Sequence, residues 1–334
     1  MSLDGKLLYK AKTALDEMRR ENEVQLSRRQ AEAYAKNPKI REIDAKLRSS
    51  IPNVLAFAFS SGRDAYEAAD RVRDENLSLQ SELRRELLTA GLPEDYLDER
   101  YMCPKCGDTG YDGTSICSCL MARYKEEQRR SLSALLKLGE ETFEAFDLDW
   151  YDKDPDPKTG DSPRQIMEFV RDTCYSYAQK FGIGKNSHNL FLRGGTGLGK
   201  TFLSACIAKV VSERGFSVVY ETASGLFTRL EEDKFSKSDD VEEVKSDVMR
   251  YFACDLLIID DLGTEMTTAF TISALYNLMN NRQVTGKKTI MSSNLSAEEL
   301  RRRYSQQIVS RLEGEYQVLP FRGRDIRIQK KALF

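Results

Sequence analysis

The residues Gly194, Gly195, Thr196, Gly197, Leu198, Gly199, Lys200 and Thr201 fit the pattern G-x-x-x-x-G-K-[ST], behind a strand-like run, Asn189–Arg193, and ahead of a helix-like one. Glycines let such a loop turn its backbone N–H groups inward on phosphate oxygens, and the helix N-terminus adds positive potential. Lys200 then reaches the β- and γ-phosphates, and Thr201 holds Mg²⁺. A second signature is the apolar run Leu256-Leu257-Ile258-Ile259, which ends in Asp260 and Asp261. Asp260 is placed to bind Mg²⁺ through water, and Asp261 to act as general base, with Glu265 as the alternative. A third polar group, Asn294, follows the strand-like Lys288–Ser293. It either orients the attacking water and senses the γ-phosphate or caps the next helix, since Ser296-Ala297-Glu298-Glu299 reads as a capping box. ATP and Mg²⁺ are the cofactors this set calls for.

Four of the seven cysteines crowd into one short stretch, Cys103-Pro104-Lys105-Cys106 and Cys117-Ser118-Cys119. Two pairs around a loop containing Gly107, Gly110 and Gly113 supply four thiolates to a tetrahedral structural Zn²⁺, and an iron–sulfur cluster is the alternative. Four sulfurs leave no open coordination position, which argues against catalytic zinc. Cys174, Cys206 and Cys254 stand apart and suit buried small-residue roles. The single histidine, His188, excludes most His-dependent chemistry and reads as structural.

These groups need elements to hold them. In 334 residues, 40% of them hydrophobic, there is room for about two domains. Residues 1–100 are charged and helical in pattern. Breaks at Pro38, Pro52, Gly62 and Gly91-Leu92-Pro93 predict three helices, and Leu8, Ala11, Leu15 and Met18 form a short heptad-like seam. This region serves either as a packing domain or as a docking arm for a partner. Residues 101–120 form the Cys₄ module, and 121–163 a charged helix and a linker. From 164 to 334, short buried strands alternate with helices: Asn189–Arg193, Ser217–Glu221, Leu256–Asp260, Lys288–Ser293 and Gln317–Pro320. The fold class is therefore α/β, a P-loop NTPase core with a parallel sheet, preceded by an α-helical region and a small zinc module. Parallel sheets collect function at the carboxyl ends of their strands, where the motifs lie.

Charge is nearly balanced, 51 basic residues against 53 acidic, so contact with nucleic acid needs a local patch. Between Lys287 and Lys331 there are 11 basic residues and 5 acidic ones, a stripe able to bind phosphates in a salt-sensitive way. No apolar run is long enough to span a bilayer and the N-terminus lacks a signal-peptide core, so a cytoplasmic protein without membrane contact is expected.

The phosphate loop, Asp260-Asp261 with Gly263-Thr264-Glu265, the Ser293-Asn294 strand end and Ile308-Val309-Ser310-Arg311-Leu312 together resemble the AAA+ ATPases of the DnaC/DnaI helicase-loader and IstB group, over about Phe143 to Lys331. The resemblance implies an adenine-side element at Phe143-x-x-Phe146. It also implies an arginine finger at Arg311 acting on a neighbouring subunit's ATP, hence self-association. Glutamate is usual after the magnesium aspartate in AAA+ proteins; here Asp261 stands there. The implied work is on single-stranded DNA with a replicative DNA helicase as partner, or with the transposase of a mobile element. The zinc region ahead of the motor favours the loader. The chain beyond Arg311 is too short for the helical lid many AAA+ proteins carry. No Asn-Lys-x-Asp motif supports a GTPase, and Asn294 with Arg311 argues against a small-molecule kinase.

Overall fold

The computed structural model describes residues 3–58, 63–135, 141–157, 160–183, 188–235 and 241–332. They form two compact units: Lys12–Leu120, and the described residues up to Ala11 together with those from Met121 onward. The boundaries differ from the four-part division expected, because the Cys module groups with the helices before it and 121–163 groups with the motor.

The first unit holds most of α1 (Gly5–Lys36), α2 (Pro38–Ala58) and α3 (Arg63–Thr89). Three helices were expected there, but Pro52 lies inside α2 instead of ending it. A proline removes one helical hydrogen bond and can kink a helix without stopping it. Ala33, Ile40, Leu87 and Leu92 form a small apolar core. Polar ties reinforce it: Arg29 Nη1 donates to the Tyr96 carbonyl at 2.6 Å, and Asn37 Nδ2 to Glu86 Oε2 at 2.6 Å. In the first half of α1 the buried positions are Leu7, Ala11 and Leu15, while Leu8 and Met18 are half-buried, so the seam begins one residue earlier than its heptad reading. The unit ends in a two-residue hairpin, β1 (Tyr111–Asp112) and β2 (Ser115–Ile116), and the start of α4 (Ser118–Leu135).

The second unit is built on a five-stranded sheet. Its strands are β3 (Asn189–Gly194), β4 (Val218–Thr222), β5 (Leu256–Leu262), β6 (Lys288–Ser293) and β7 (Tyr316–Phe321), in the order β4-β5-β6-β3-β7 with every pair parallel. The five expected strands are all present within a residue or two, and β6 lies between β3 and β5. Helices α5 (Pro163–Lys180), α6 (Lys200–Glu213), α7 (Ala223–Phe235), α8 (Val241–Ala253), α9 (Ala269–Val284), α10 (Ala297–Arg303), α11 (Gln306–Gly314) and α12 (Ile326–Lys331) complete it. Both faces of the sheet are covered, which is why β5 reads as a continuous apolar run. Alternation divides its side chains: Leu256 and Ile258 enter the core under α5 and α6, Leu257 and Ile259 the core with α7 and α9. At the start of α1, Asp4 Oδ1 accepts from the backbone N–H of Lys6 and Leu7 at 3.0 and 3.1 Å, and its carboxylate pairs with Arg250 of α8. Among the described residues no helix is long and apolar enough to cross a membrane.

Candidate functional site: a nucleotide cleft and a cysteine cluster

The carboxyl end of β3 delivers the phosphate loop between two obstacles that only glycine clears. A Cβ on Gly194 would lie 2.4 Å from the Phe321 carbonyl of β7. One on Gly199, at φ +86°, would lie 2.9 Å from the Phe146 ring. Gly199 is the N-cap of α6, so the helix's first N–H groups and positive dipole end open onto the loop. Lys200 is 5% exposed, and its Nζ donates to the carbonyls of Gly194 and Gly195 at 2.8 and 2.7 Å. Burial lowers its pKa, and the nearby charges of Asp261 and Asp260 oppose that shift. Thr201 Oγ1 donates to Asp260 Oδ2 at 2.8 Å, which joins the first turn of α6 to the end of β5.

Asp260 and Asp261 part company through a bulge. The register of β5 against β6 shifts between Ile259 and Leu262, and Asp261 adopts a left-handed backbone at φ +55°. Bulges re-aim side chains, and here the result is that Asp260 is buried while Asp261 lines the cleft. Burial raises the Asp261 pKa, with Asp260 adding to the shift and Lys200 and Arg327 opposing it. Asn294 also lines the cleft, and the N-cap of α10 is Ser296, so the amide is not used as a cap.

The cleft has a volume of ≈ 1150 Å³ and is lined by Thr196–Thr201, Asp261, Thr264 and Asn294 on the phosphate side, and by Phe146, Trp150 and Tyr151 on the other. Tyr151 donates its hydroxyl to the Leu198 carbonyl at 3.0 Å, and its ring stacks on Phe146 with centroids 5.8 Å apart. The resemblance pointed to Phe143, but that ring packs edge-on against Tyr175 at 5.3 Å and does not line the cleft; Phe146 does.

Glu265, the alternative base, lies apart from Asp261 in its contacts. It is buried, its Oε2 accepts from the Gly263 N–H at 2.7 Å, its Oε1 accepts from the Tyr304 hydroxyl, and it does not line the cleft. Its carboxylate braces the loop after β5. Arg311 also lies outside the cleft. Its guanidinium donates to Gln283 Oε1 at 2.5 Å and Asn280 Oδ1 at 3.0 Å, approaches Glu315 at 3.5 Å, and sits 5.1 Å over the Tyr276 ring.

Two cations that the sequence left unplaced do reach the cleft. The backbone N–H of Ile326 donates to the Gly197 carbonyl at 3.0 Å, which brings α12 onto the phosphate loop and puts Arg327 and Lys330 in the lining. Only a cluster of basic residues hinted at this; the fold back to the loop is tertiary. The rest of the basic stripe is dispersed. Lys287 pairs with Asp255, Arg301 with Glu313, Arg324 with Asp152, and Arg303 donates to the Glu265 carbonyl at 2.6 Å.

In the other unit, the ligand atoms of Cys103, Cys106, Cys117 and Cys119 all lie within 4.8 Å of one another. The Sγ atoms of Cys103 and Cys117 are 3.7 Å apart, those of Cys106 and Cys119 3.4 Å. Four thiolates at about 2.3 Å from a tetrahedral Zn²⁺ stand about 3.8 Å from one another, so the donor set fits such an ion. The loop is built for close approach. Asp108 accepts from the N–H of Met102 and Cys103 at 3.0 and 2.8 Å, and the Gly107 N–H donates to the Cys103 carbonyl at 3.0 Å. Cys117 lies just before α4 and the Cys119 backbone N–H lowers its thiol pKa, whereas burial raises that of Cys119 in the first turn.

A parallel sheet in this strand order, with a phosphate-loop motif after one strand, a paired aspartate after another and an asparagine after a third, is a P-loop arrangement. Residues 178–333 match the family model described as IstB-like ATP binding protein. The replicative helicase loader DnaI of Bacillus subtilis is 28% identical over 238 residues, 63% of this chain and 70% of that protein. The chromosomal replication initiator protein DnaA of Aliarcobacter butzleri is 32% identical over 117 residues, 35% of this chain. The chain spans 25% of that initiator's length. Domain III of the Thermotoga maritima replication initiation protein DnaA superposes with a TM-score of 0.43 and 23% identity, covering 58% of this chain and 71% of that one.

Proposed function

We propose that this protein is a cytoplasmic, helicase-loader-like ATPase of DNA replication. The observation that carries the reading is the convergence of Lys200, the Thr201–Asp260 pair, Asp261 and Asn294 on one cleft next to the phosphate loop. Thr201 and Asp260 would hold Mg²⁺, which would supply neutralising charge to the phosphates. Lys200 exchanges its loop carbonyls for the β- and γ-phosphates, Asp261 polarises the attacking water, and Asn294 orients it. Phe146 and Tyr151 flank the base, and Arg327 adds positive charge on the open side. Arg311, outside its own cleft, serves the ATP of a neighbouring copy, so hydrolysis depends on self-association. The DnaI relative, named a replicative helicase loader, supports a replicative helicase as partner; the helical unit then serves as docking arm and single-stranded DNA as the track. The second reading is an ATPase that assists a transposase, and the match to the IstB-like family model is what favours it.

A pull-down with the full-length protein separates these. We expect a replicative helicase to be retained in ATP and Mg²⁺; retention of a transposase with no helicase would replace the first reading by the second. For the cysteine cluster we propose one structural Zn²⁺ per chain, folding a loop with few apolar residues of its own. Elemental analysis tests it: iron with visible absorbance would make it an iron–sulfur site.

A further inference from the structure

Asp260 is surrounded by hydroxyl groups from three different elements. Thr201 of α6 donates to Oδ2 at 2.8 Å, Tyr220 of β4 donates to the same oxygen at 2.5 Å, and Ser292 of β6 donates to Oδ1. The Ser292 hydroxyl in turn accepts the Asp261 N–H at 2.9 Å. Thr201 belongs to the phosphate-loop pattern, but Tyr220 and Ser292 fall in no motif. Their positions follow from the sheet. Tyr220 pairs with Ile258, two residues before Asp260 on the neighbouring strand, and the period of two puts Tyr220, Ile258 and Asp260 on one face.

We infer that Tyr220 and Ser292 are positioning residues that aim the Asp260 carboxylate at the magnesium site, leaving it one acceptor direction for the metal's water. The inference rests on the nucleotide site proposed above. An ionised carboxylate offers about four lone-pair sites. Three are taken by hydroxyls here, and rotation of the carboxylate would break all three bonds. Tyr220 is 4% exposed, so its own rotation is blocked by the core around it. Thr201 can coordinate the metal through oxygen while its proton stays on Asp260; Tyr220 and Ser292 hold the carboxylate from behind.

The test is magnesium dependence, read separately from nucleotide binding. Full-length wild type, Tyr220→Phe and Ser292→Ala are titrated with a ribose-labelled fluorescent ATP, once in EDTA and once across a Mg²⁺ series. Removing a hydrogen bond behind a metal-binding carboxylate costs about 10–100-fold in metal affinity. We therefore expect Tyr220→Phe to raise the half-saturating Mg²⁺ concentration about tenfold, and Ser292→Ala to shift it in the same direction. Affinity in EDTA should stay within about twofold of wild type, because the phosphate loop is untouched. An unchanged Mg²⁺ requirement in Tyr220→Phe would overturn the inference. So would an equal loss with and without metal, which would make the tyrosine a packing residue. If wild type bound the nucleotide with no gain from Mg²⁺, the site itself would be wrong and the inference would fall with it.

Discussion

The two ends of the central sheet treat their charged groups in opposite ways. At the carboxyl ends, Asp261, Asn294 and the loop residues face an open cleft, and Lys200 is held there by carbonyls of its own loop. At the amino ends, charge is closed off within the protein. Asp255, just before β5, accepts from the Ser217 N–H and hydroxyl at 3.1 Å each and from Lys287 Nζ at 2.8 Å. Arg282 of α9 is 1% exposed and donates to the carbonyls of Tyr251, Cys254 and Lys288 at 2.6, 3.1 and 2.6 Å and to the Thr289 hydroxyl at 3.0 Å. It spans the end of α8 and the start of β6. One end spends its polar groups on a ligand, the other on the fold, so substitutions at the two should fail in different assays.

The largest expected effect lies beyond both ends, at Arg311. If it completes a neighbour's cleft, Arg311→Ala keeps near-normal ATP affinity but lowers hydrolysis by about 10³-fold or more, the range of arginine fingers. Mixing the variant with wild type then depresses activity below the wild-type fraction. Activity strictly proportional to that fraction at every protein concentration would leave Arg311 as a bridge from α11 to α9. Next comes Lys200→Ala, which removes the charge on the phosphates. ATP affinity should drop by about 100-fold or more, some 3 kcal/mol, with the thermal midpoint near that of wild type. A variant that unfolds would erase the distinction between the two ends.

Arg282→Ala should behave inversely. Several buried carbonyls lose their donor, at roughly 1–3 kcal/mol for each group left unsatisfied, so stability falls by about 3 kcal/mol or more while the folded fraction binds ATP normally. Denaturant melts with and without nucleotide measure both. The smallest effect is at Asp255. Burial works against its carboxylate, but Lys287 and the Ser217 donors outweigh it and hold the pKa below the usual value. A depressed acid stabilises the fold above its unfolded pKa, near 3.9, and that contribution is lost as pH falls through the folded value. Asp255→Asn should therefore cost about 1 kcal/mol at neutral pH, given the partly exposed partner. The difference from wild type should shrink below about pH 4. A difference independent of pH would mean the charge contributes nothing.

The carboxyl end was largely legible in the sequence and the amino end was not. A phosphate loop is contiguous, so Gly194 to Thr201 announce it, and an apolar strand ending in Asp260-Asp261 does the same. Arg282 carries no pattern at all, since its partners are backbone carbonyls scattered over two elements. Within the cleft, reading stopped where long-range contacts began. Sequence offers Glu265 as the alternative to Asp261 but cannot show that Tyr304 and the Gly263 N–H occupy its carboxylate. Phe143 and Phe146 are equally spaced candidates until Tyr175 takes the first and Tyr151 the second. Arg327 and Lys330 depend on a hydrogen bond from Ile326 to Gly197 that no local signal encodes.

The left-handed backbone at Asp261 has one more implication, for the history of the site. A residue with a side chain sits in that region at a cost of about 1–3 kcal/mol, and glycine is the residue that relieves it. Glycine would also spare Asp260 a negative neighbour. Drift toward greater thermal tolerance would thus push position 261 toward glycine, and away from a carboxylate at the cleft. Holding an aspartate there sets a ceiling on stability that a glycine would lift.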